Sequence, residues 1–178
     1  MPPVKTIWVD TREKTPLPPV KIVHSTDALG RLRTYTTKWQ RRTLRTADYA
    51  LASGGGPSGV GVERKKGIRE LTKNCLTGGP RELTRFQKCL DRLAAEFRVP
   101  ILMLEADHHQ LLRPQPGQPH PARVTDALMA MLIPRRIHFW VFPGRTQAQR
   151  EMISAIVART LIKGVSVPSP PDREPSRG

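Results

Sequence analysis

Apolar positions in this chain alternate between two periods. Residues 5–10 (KTIWVD) form a short β-branched and aromatic run closed by Asp10, which predicts a buried strand. The prolines of the following TREKTPLPP forbid regular structure. Residues 26–32 read as a short helical turn, weakened by Gly30. Tyr35, Thr37 and Trp39 then alternate with polar neighbours, predicting a strand that continues through TLRTADYALA around Asp48. The glycine-rich stretch 54–61 (GGGPSGVG) reads as a turn joining that strand to the next in a long hairpin.

Helical spacing follows. Ile68, Leu71, Cys75 and Leu76 recur at helical intervals, and Gly78-Gly79-Pro80 breaks the run. Leu83, Phe86, Leu90, Leu93 and Phe97 then repeat every three or four residues, so one face of that helix must pack on something. Residues 99–104 (VPILML) are almost continuously apolar, as in a strand covered on both faces. PQPGQPHP reads as a loop, 124–133 as a helix, 137–142 (IHFWVF) as a buried strand and 146–163 as the last helix. The apolar positions of that last helix wrap too far round for a one-sided surface helix, so it is either buried in the domain or meets a second subunit. Strands alternating with helices after residue 60 imply an α/β domain over residues 1–163. The proline- and serine-rich residues 164–178 read as a disordered tail.

Charge changes the picture. Thirty Lys and Arg against fifteen Asp and Glu leave +15 over 178 residues. Such self-repulsion opposes compaction and speaks to partners, either nucleic acid or an anionic membrane. The longest apolar run is residues 127–133, well short of the roughly 18 residues a span needs. MPPVKTIWVD has no signal-peptide character, so a cytoplasmic, nucleoid-associated location is expected in a prokaryote or phage and a nuclear one in a eukaryote. A polyanion is the expected partner. Cys75 and Cys89 have no companion at zinc-ligand spacing and read as free thiols.

Glu63 and Lys65 lie two apart on a predicted strand, so they share a face while Arg64 points away. If the Asp48 and Glu63 strands pair, both carboxylates approach one point, and Asp10 at the end of a third strand completes an oxygen-lined pocket. Such ligands suit Mg2+ or Mn2+. A hard cation beside an ammonium suits phosphodiester hydrolysis, and it removes the conflict of three carboxylates facing a phosphate. Arg12, Arg41, Arg42, Arg64, Lys66 and Arg69 form a candidate phosphate-binding rim. Trp39 is read as core packing or as a base-stacking platform. His108 and His109 are read as polar residues leaving a buried strand or as a second metal site.

VDTRE (residues 9–13), ADY (47–49) and VERK (62–65), followed by PILMLEAD (100–107), occur in an order that resembles the XPF/Mus81/Hef (ERCC4-type) nuclease domain over residues 5–163. The resemblance implies a restriction-endonuclease-like fold, with a central mixed β-sheet flanked by α-helices. It also implies Mg2+- or Mn2+-dependent cleavage of branched DNA (flaps, forks or junctions) in repair or recombination. Carried over, Asp10, Asp48 and Glu63 look like metal ligands and Lys65 like the catalytic lysine, with Glu13 in support. It further implies dimerisation, as homodimer or heterodimer, through the C-terminal helices. Two departures stand out. Ala47 replaces the usual Gly before Asp48, a mild change unless a positive φ is required. Arg69 stands where the pattern has its last Asp, with Glu70 one position on as a candidate substitute. The alternative reading is a catalytically inactive DNA-binding scaffold subunit of a nuclease complex.

Overall fold

The computed structural model describes residues 1–27, 29–53, 56–114 and 116–164, so the tail expected over 164–178 lies outside the described residues apart from Gly164. Among the described residues seven strands form one mixed sheet: β1 (Val4–Asp10), β2 (Ile22–Thr26), β3 (Leu32–Arg42), β4 (Tyr49–Ser53), β5 (Gly56–Lys65), β6 (Val99–Glu105) and β7 (His138–Phe142). Their order across the sheet is β2-β3-β1-β4-β5-β6-β7. Four α-helices flank it among the described residues: α1 (Ile68–Thr72), α2 (Gly79–Glu96), α3 (Pro121–Leu132) and α4 (Gln147–Gly164). This is the restriction-endonuclease-like α/β architecture that the sequence leads one to expect.

The strand expected to run from Tyr35 past Asp48 is two strands with another between them. β1 pairs parallel with β3 and antiparallel with β4. The chain therefore leaves the sheet at Arg42, crosses the end of β1 through residues 43–48, and re-enters on the other side. Alternation is local and cannot report that a third strand intervenes. The helical turn expected at 26–32 is instead the β2–β3 hairpin turn. Asp27 Oδ1 accepts from the N–H groups of Leu29 and Arg31 at 2.9 and 3.0 Å, and Gly30 sits at φ +75. β2 itself carries one buried apolar residue, Val23, too little for a readable period.

β7 is the sheet edge, not a strand buried on both faces. Among the described residues it pairs only with β6, and its residues are exposed or half-buried. A five-residue aromatic run looks the same at an edge as in the centre.

The two faces of the sheet hold separate cores. On one, Phe86, Leu90 and Leu93 of α2 pack with Leu102, Leu104 and Leu128. On the other, Ile153, Val157, Leu161 and Ile162 of α4 pack with Ile7, Tyr49, Val62 and Met103. Burial inside the domain thus accounts for most of the apolar surface of α4; Met152 is exposed and Ile156 half-buried. Glycine is required at Gly61, where any Cβ would enter the Phe97 ring at the end of α2. Trp39 donates from Nε1 to the Val20 carbonyl at 3.1 Å and meets Tyr49 edge-on, so it serves packing. His108 and His109 are exposed in a 3-10 turn (His108–Leu111) capped by Asp107. No helix among the described residues is long and apolar enough to cross a membrane.

Candidate active site

Alternation along β5 sorts its last residues. Gly61, Glu63 and Lys65 face α2, while Val60, Val62 and Arg64 face the α4 side. Lys65 is buried under α2, its Nζ 2.9 Å from Glu63 Oε1 and 5.5 Å from the centre of the Phe86 ring. Burial works against its charge, but the Glu63 carboxylate, by charge and by hydrogen bond, more than offsets this, aided by Glu70. The ammonium stands above the usual lysine range.

The residue before β4 is Asp48. Its N–H donates to the Val62 carbonyl and its own carbonyl accepts from Asp10 N–H, both at 2.9 Å, so the ends of β1, β4 and β5 are stitched together here. Asp48 Oδ2 accepts from the Arg64 backbone N–H at 2.8 Å. Burial first, and the Glu63 carboxylate second, push the Asp48 acid up to about 8. The turn that delivers it passes through Ala47 at φ +71, in the left-handed region. A positive φ is therefore required here, and the Ala47 Cβ carries a strain of roughly 1–2 kcal/mol, to be set against the burial and chain stiffness that the methyl supplies.

Asp10 ends β1 and is buried. Its Oδ2 accepts from Arg12 Nε at 2.6 Å and its Oδ1 from the Leu44 N–H at 3.4 Å. Arg12, expected on the phosphate rim, is thus bound to Asp10 and to the Leu44 carbonyl, although its side chain remains 64% exposed.

All three acids line one cleft of about 600 Å³ together with Lys65. They do not close as one ligand set: among the described residues no three His, Cys, Asp or Glu side chains are placed to hold a metal ion together. Asp48 and Glu63 are adjacent, whereas Asp10 is turned to Arg12. The adjacent pair fits a hard dication. Burial first and the neighbouring Glu63 carboxylate second disfavour the Asp48 anion, and a small cation bound through one or two carboxylates with waters relieves both.

Arg64 corrects the sequence reading. Its place in VERK suggests the DNA-binding rim, but its side chain is buried and saturated. Nε and Nη2 are bidentate on Glu105 at 2.6 and 2.7 Å, and Nη1 donates to the Thr15 carbonyl at 2.6 Å. Its remaining neighbour is Glu13, at 3.5 Å. Glu13 also holds Lys66 at 2.9 Å. Burial raises the Glu13 pKa, but the Lys66 and Thr15 hydrogen bonds and the Arg64 charge outweigh it, holding the acid below the usual carboxylate range. Arg41 is exposed but donates to the Glu13 and Thr11 carbonyls, and the Arg42 guanidinium lies 4.2 Å from the centre of the Trp8 ring. The residues expected to form a rim thus mostly brace the site.

The cationic wall comes from elsewhere. Arg45, Lys73, Arg85 and Arg92 are exposed, line the cleft, and enter no ion pair among the described residues. Sequence reasoning misses Arg85 and Arg92 because the period of α2 reports only its apolar face, and Arg45 and Lys73 because only the folded chain brings their segments to the cleft. It also misses Phe86 and Cys89 as cleft residues; burial pushes the Cys89 thiol up to about 12. Glu70 lies in the cleft with Oε1 3.6 Å from Lys65 Nζ, whereas Arg69 does not line it.

Comparison of the sequence with protein-family models gives no match. Comparison with curated proteins gives none either. Among solved structures, XPF from Aeropyrum pernix is similar, with a TM-score of 0.59 and 18% identity over 90% of this chain and 67% of that one. XPF from Aeropyrum pernix in complex with DNA is similar at a TM-score of 0.59 and 19% identity, covering 89% of this chain and 66% of that one. The chain therefore shares the fold of XPF from Aeropyrum pernix over nine-tenths of its length.

Proposed function

We propose that this chain is an XPF-type, Mg2+- or Mn2+-dependent endonuclease that hydrolyses DNA phosphodiester bonds at flaps, forks or junctions in repair or recombination. One observation carries the reading: Asp48, Glu63 and Lys65 converge from two antiparallel strands on a cleft with cationic walls. DNA as the ligand class is supported by the similar XPF in complex with DNA.

Asp48 and Glu63 would hold the cation, with Asp10 at the edge of the same cleft, and when bound it lowers the pKa of a water and offsets phosphate charge. Lys65, kept charged by Glu63, either orients the attacking water or donates to the phosphoryl oxygen on which charge accumulates. Phe86 shields that ammonium from bulk solvent, which strengthens its interactions. Arg45, Lys73, Arg85 and Arg92 hold the strand through its phosphates.

The test is cleavage of labelled flap, fork, nicked-junction, plain-duplex and single-stranded DNA with Mg2+ or Mn2+. Asp48→Ala and Lys65→Ala are expected to lose activity by at least about 10²-fold, the scale of removing one preorganised electrostatic group. Folded variants that cleave at the wild-type rate would overturn the assignment.

The pairing of Asp10 with Arg12 favours one other reading, the inactive DNA-binding scaffold. Titration with Mn2+ separates them: one-site binding abolished by Asp48→Asn supports the enzyme, and no binding to the wild type supports the scaffold. A dimer through the C-terminal helices rests on the apolar side chains that α4 leaves outside the core, chiefly Met152. Sedimentation of wild type against Met152→Lys tests it, with a shift toward monomer expected.

A further inference from the structure

We propose that the exposed face of α2 is a track for a nucleic-acid phosphate backbone leading into the cleft, formed by Arg81, Arg85, Lys88 and Arg92. The inference rests on the reading of the cleft as a DNA site and extends it to a surface outside the reacting centre.

At about 100° per residue, spacings of four, three and four place these four cations within a stripe roughly 60° wide. The apolar face made by Phe86, Leu90 and Leu93 lies on the opposite side of the helix and is buried. All four cations are exposed, and none is in an ion pair among the described residues. Of the three acids of α2, Asp91 sits off the stripe and is taken up by Arg135 at 2.7 Å, Glu82 lies about 60° outside it, and Glu96 flanks its C-terminal end beside Arg92 without an ion pair among the described residues. Four unpaired like charges on one face repel each other, and folding gains nothing from the arrangement.

The long side chains of the stripe leave space between them. A shallow basin of about 500 Å³ is lined by the four cations with Pro80 and Thr84. Arg85 and Arg92 belong to this basin and to the cleft holding Glu63 and Lys65, so the two are continuous. From Arg81 to Arg92 the helix rises about 16 Å. That spans roughly five base-pair steps at 3.4 Å each, so several successive phosphates come within reach. The stripe carries no aromatic side chain to stack on a base. Backbone charge is therefore what it recognises, and the occupant it fits is the duplex arm beside the cleavage point.

The experiment measures binding of a fluorescent forked duplex by anisotropy, without divalent metal, from about 50 to 200 mM salt, and reads the slope of log affinity against log salt. Neither Arg81 nor Lys88 lines the cleft. The double variant Arg81→Gln/Lys88→Gln should lower the slope by about two, one for each phosphate no longer neutralised. The control Lys21→Gln/Arg159→Gln removes two exposed charges that line neither surface and should leave the slope as it is. An unchanged slope in the first variant overturns the proposal, as does an equal fall in the control, which would mean diffuse attraction. Binding is read without cleavage. A protein that shows the slope change but never cuts DNA would sink the endonuclease reading and leave the track standing.

Discussion

The backbone N–H of Arg64 donates to Asp48 Oδ2 at 2.8 Å, while the guanidinium of the same residue grips Glu105 on the other face of the sheet. One residue thus steadies an acid of the cleft through its main chain and locks the sheet through its side chain. The two roles are separable, because any substitution except proline keeps the N–H.

Arg64→Ala should therefore destabilise the fold without removing the Asp48 hydrogen bond. It leaves Glu105 and Glu13 buried without the Arg64 cation, a loss of about 3–5 kcal/mol. Arg64→Lys keeps the charge and loses the fork, so it should fall between Ala and wild type. Urea unfolding midpoints check the order.

Asp48 predicts a pH dependence in metal-free buffer. Its acid stands near 8 in the folded chain against an ordinary 3.8. A raised folded value means that the native state holds the proton more tightly than the unfolded one. The contribution of this group is complete below about pH 4 and is lost as pH rises through about 8. Asp48→Asn should abolish that loss and be the more stable protein at pH 9, by urea midpoints in EDTA. Added Mn2+ should recover the wild type at high pH and leave the Asn variant unmoved.

Ala47 predicts an unusual tolerance. Replacing it by Gly relieves roughly 1–2 kcal/mol of left-handed strain. Against that stand about 0.8 kcal/mol of lost methyl burial and about 0.5–1 kcal/mol of added chain entropy. The terms nearly cancel, so Ala47→Gly should stay within about 1 kcal/mol of wild type. Ala158→Gly, in a buried helical position with no strain to relieve, should cost about 2 kcal/mol from propensity and burial together. Ala47→Val should be clearly destabilising, because a β-branched residue is a poor occupant of positive φ.

Glu70 and Arg69 can be told apart by rate. Glu70 approaches Lys65 at 3.6 Å on a half-exposed side chain, an interaction worth about 1 kcal/mol or less. Glu70→Ala should slow cleavage by no more than about fivefold, since 1.4 kcal/mol is a factor of ten. Arg69→Ala should leave the rate per bound substrate unchanged. An effect of Arg69 larger than that of Glu70 would mean that the substitute acid was assigned to the wrong position.

Motifs whose chemistry depends on neighbours in the chain were legible. Glu63 and Lys65 share a face because strands alternate, and their pairing at 2.9 Å follows from a spacing of two. The roles of the arginines were not legible. Arg64, Arg12 and Arg41 look alike in sequence, yet one is buried on Glu105, one covers Asp10 and one braces two carbonyls. Which acid or carbonyl an arginine meets is set by strands brought together across many tens of residues.

Taken alone, the residue order determined the α/β class, the buried runs of β1 and β6, the packed face of α2 and the shared face of Glu63 and Lys65. Each of these follows from periods of two or 3.6 residues, which neighbours along the chain impose. Only the tertiary structure decided that β1 separates β3 from β4, that Ala47 takes a positive φ, and that α2 joins Arg45 and Lys73 in walling the cleft. Those are outcomes of non-local pairing, where many arrangements satisfy the same local pattern and burial of the whole sheet selects one.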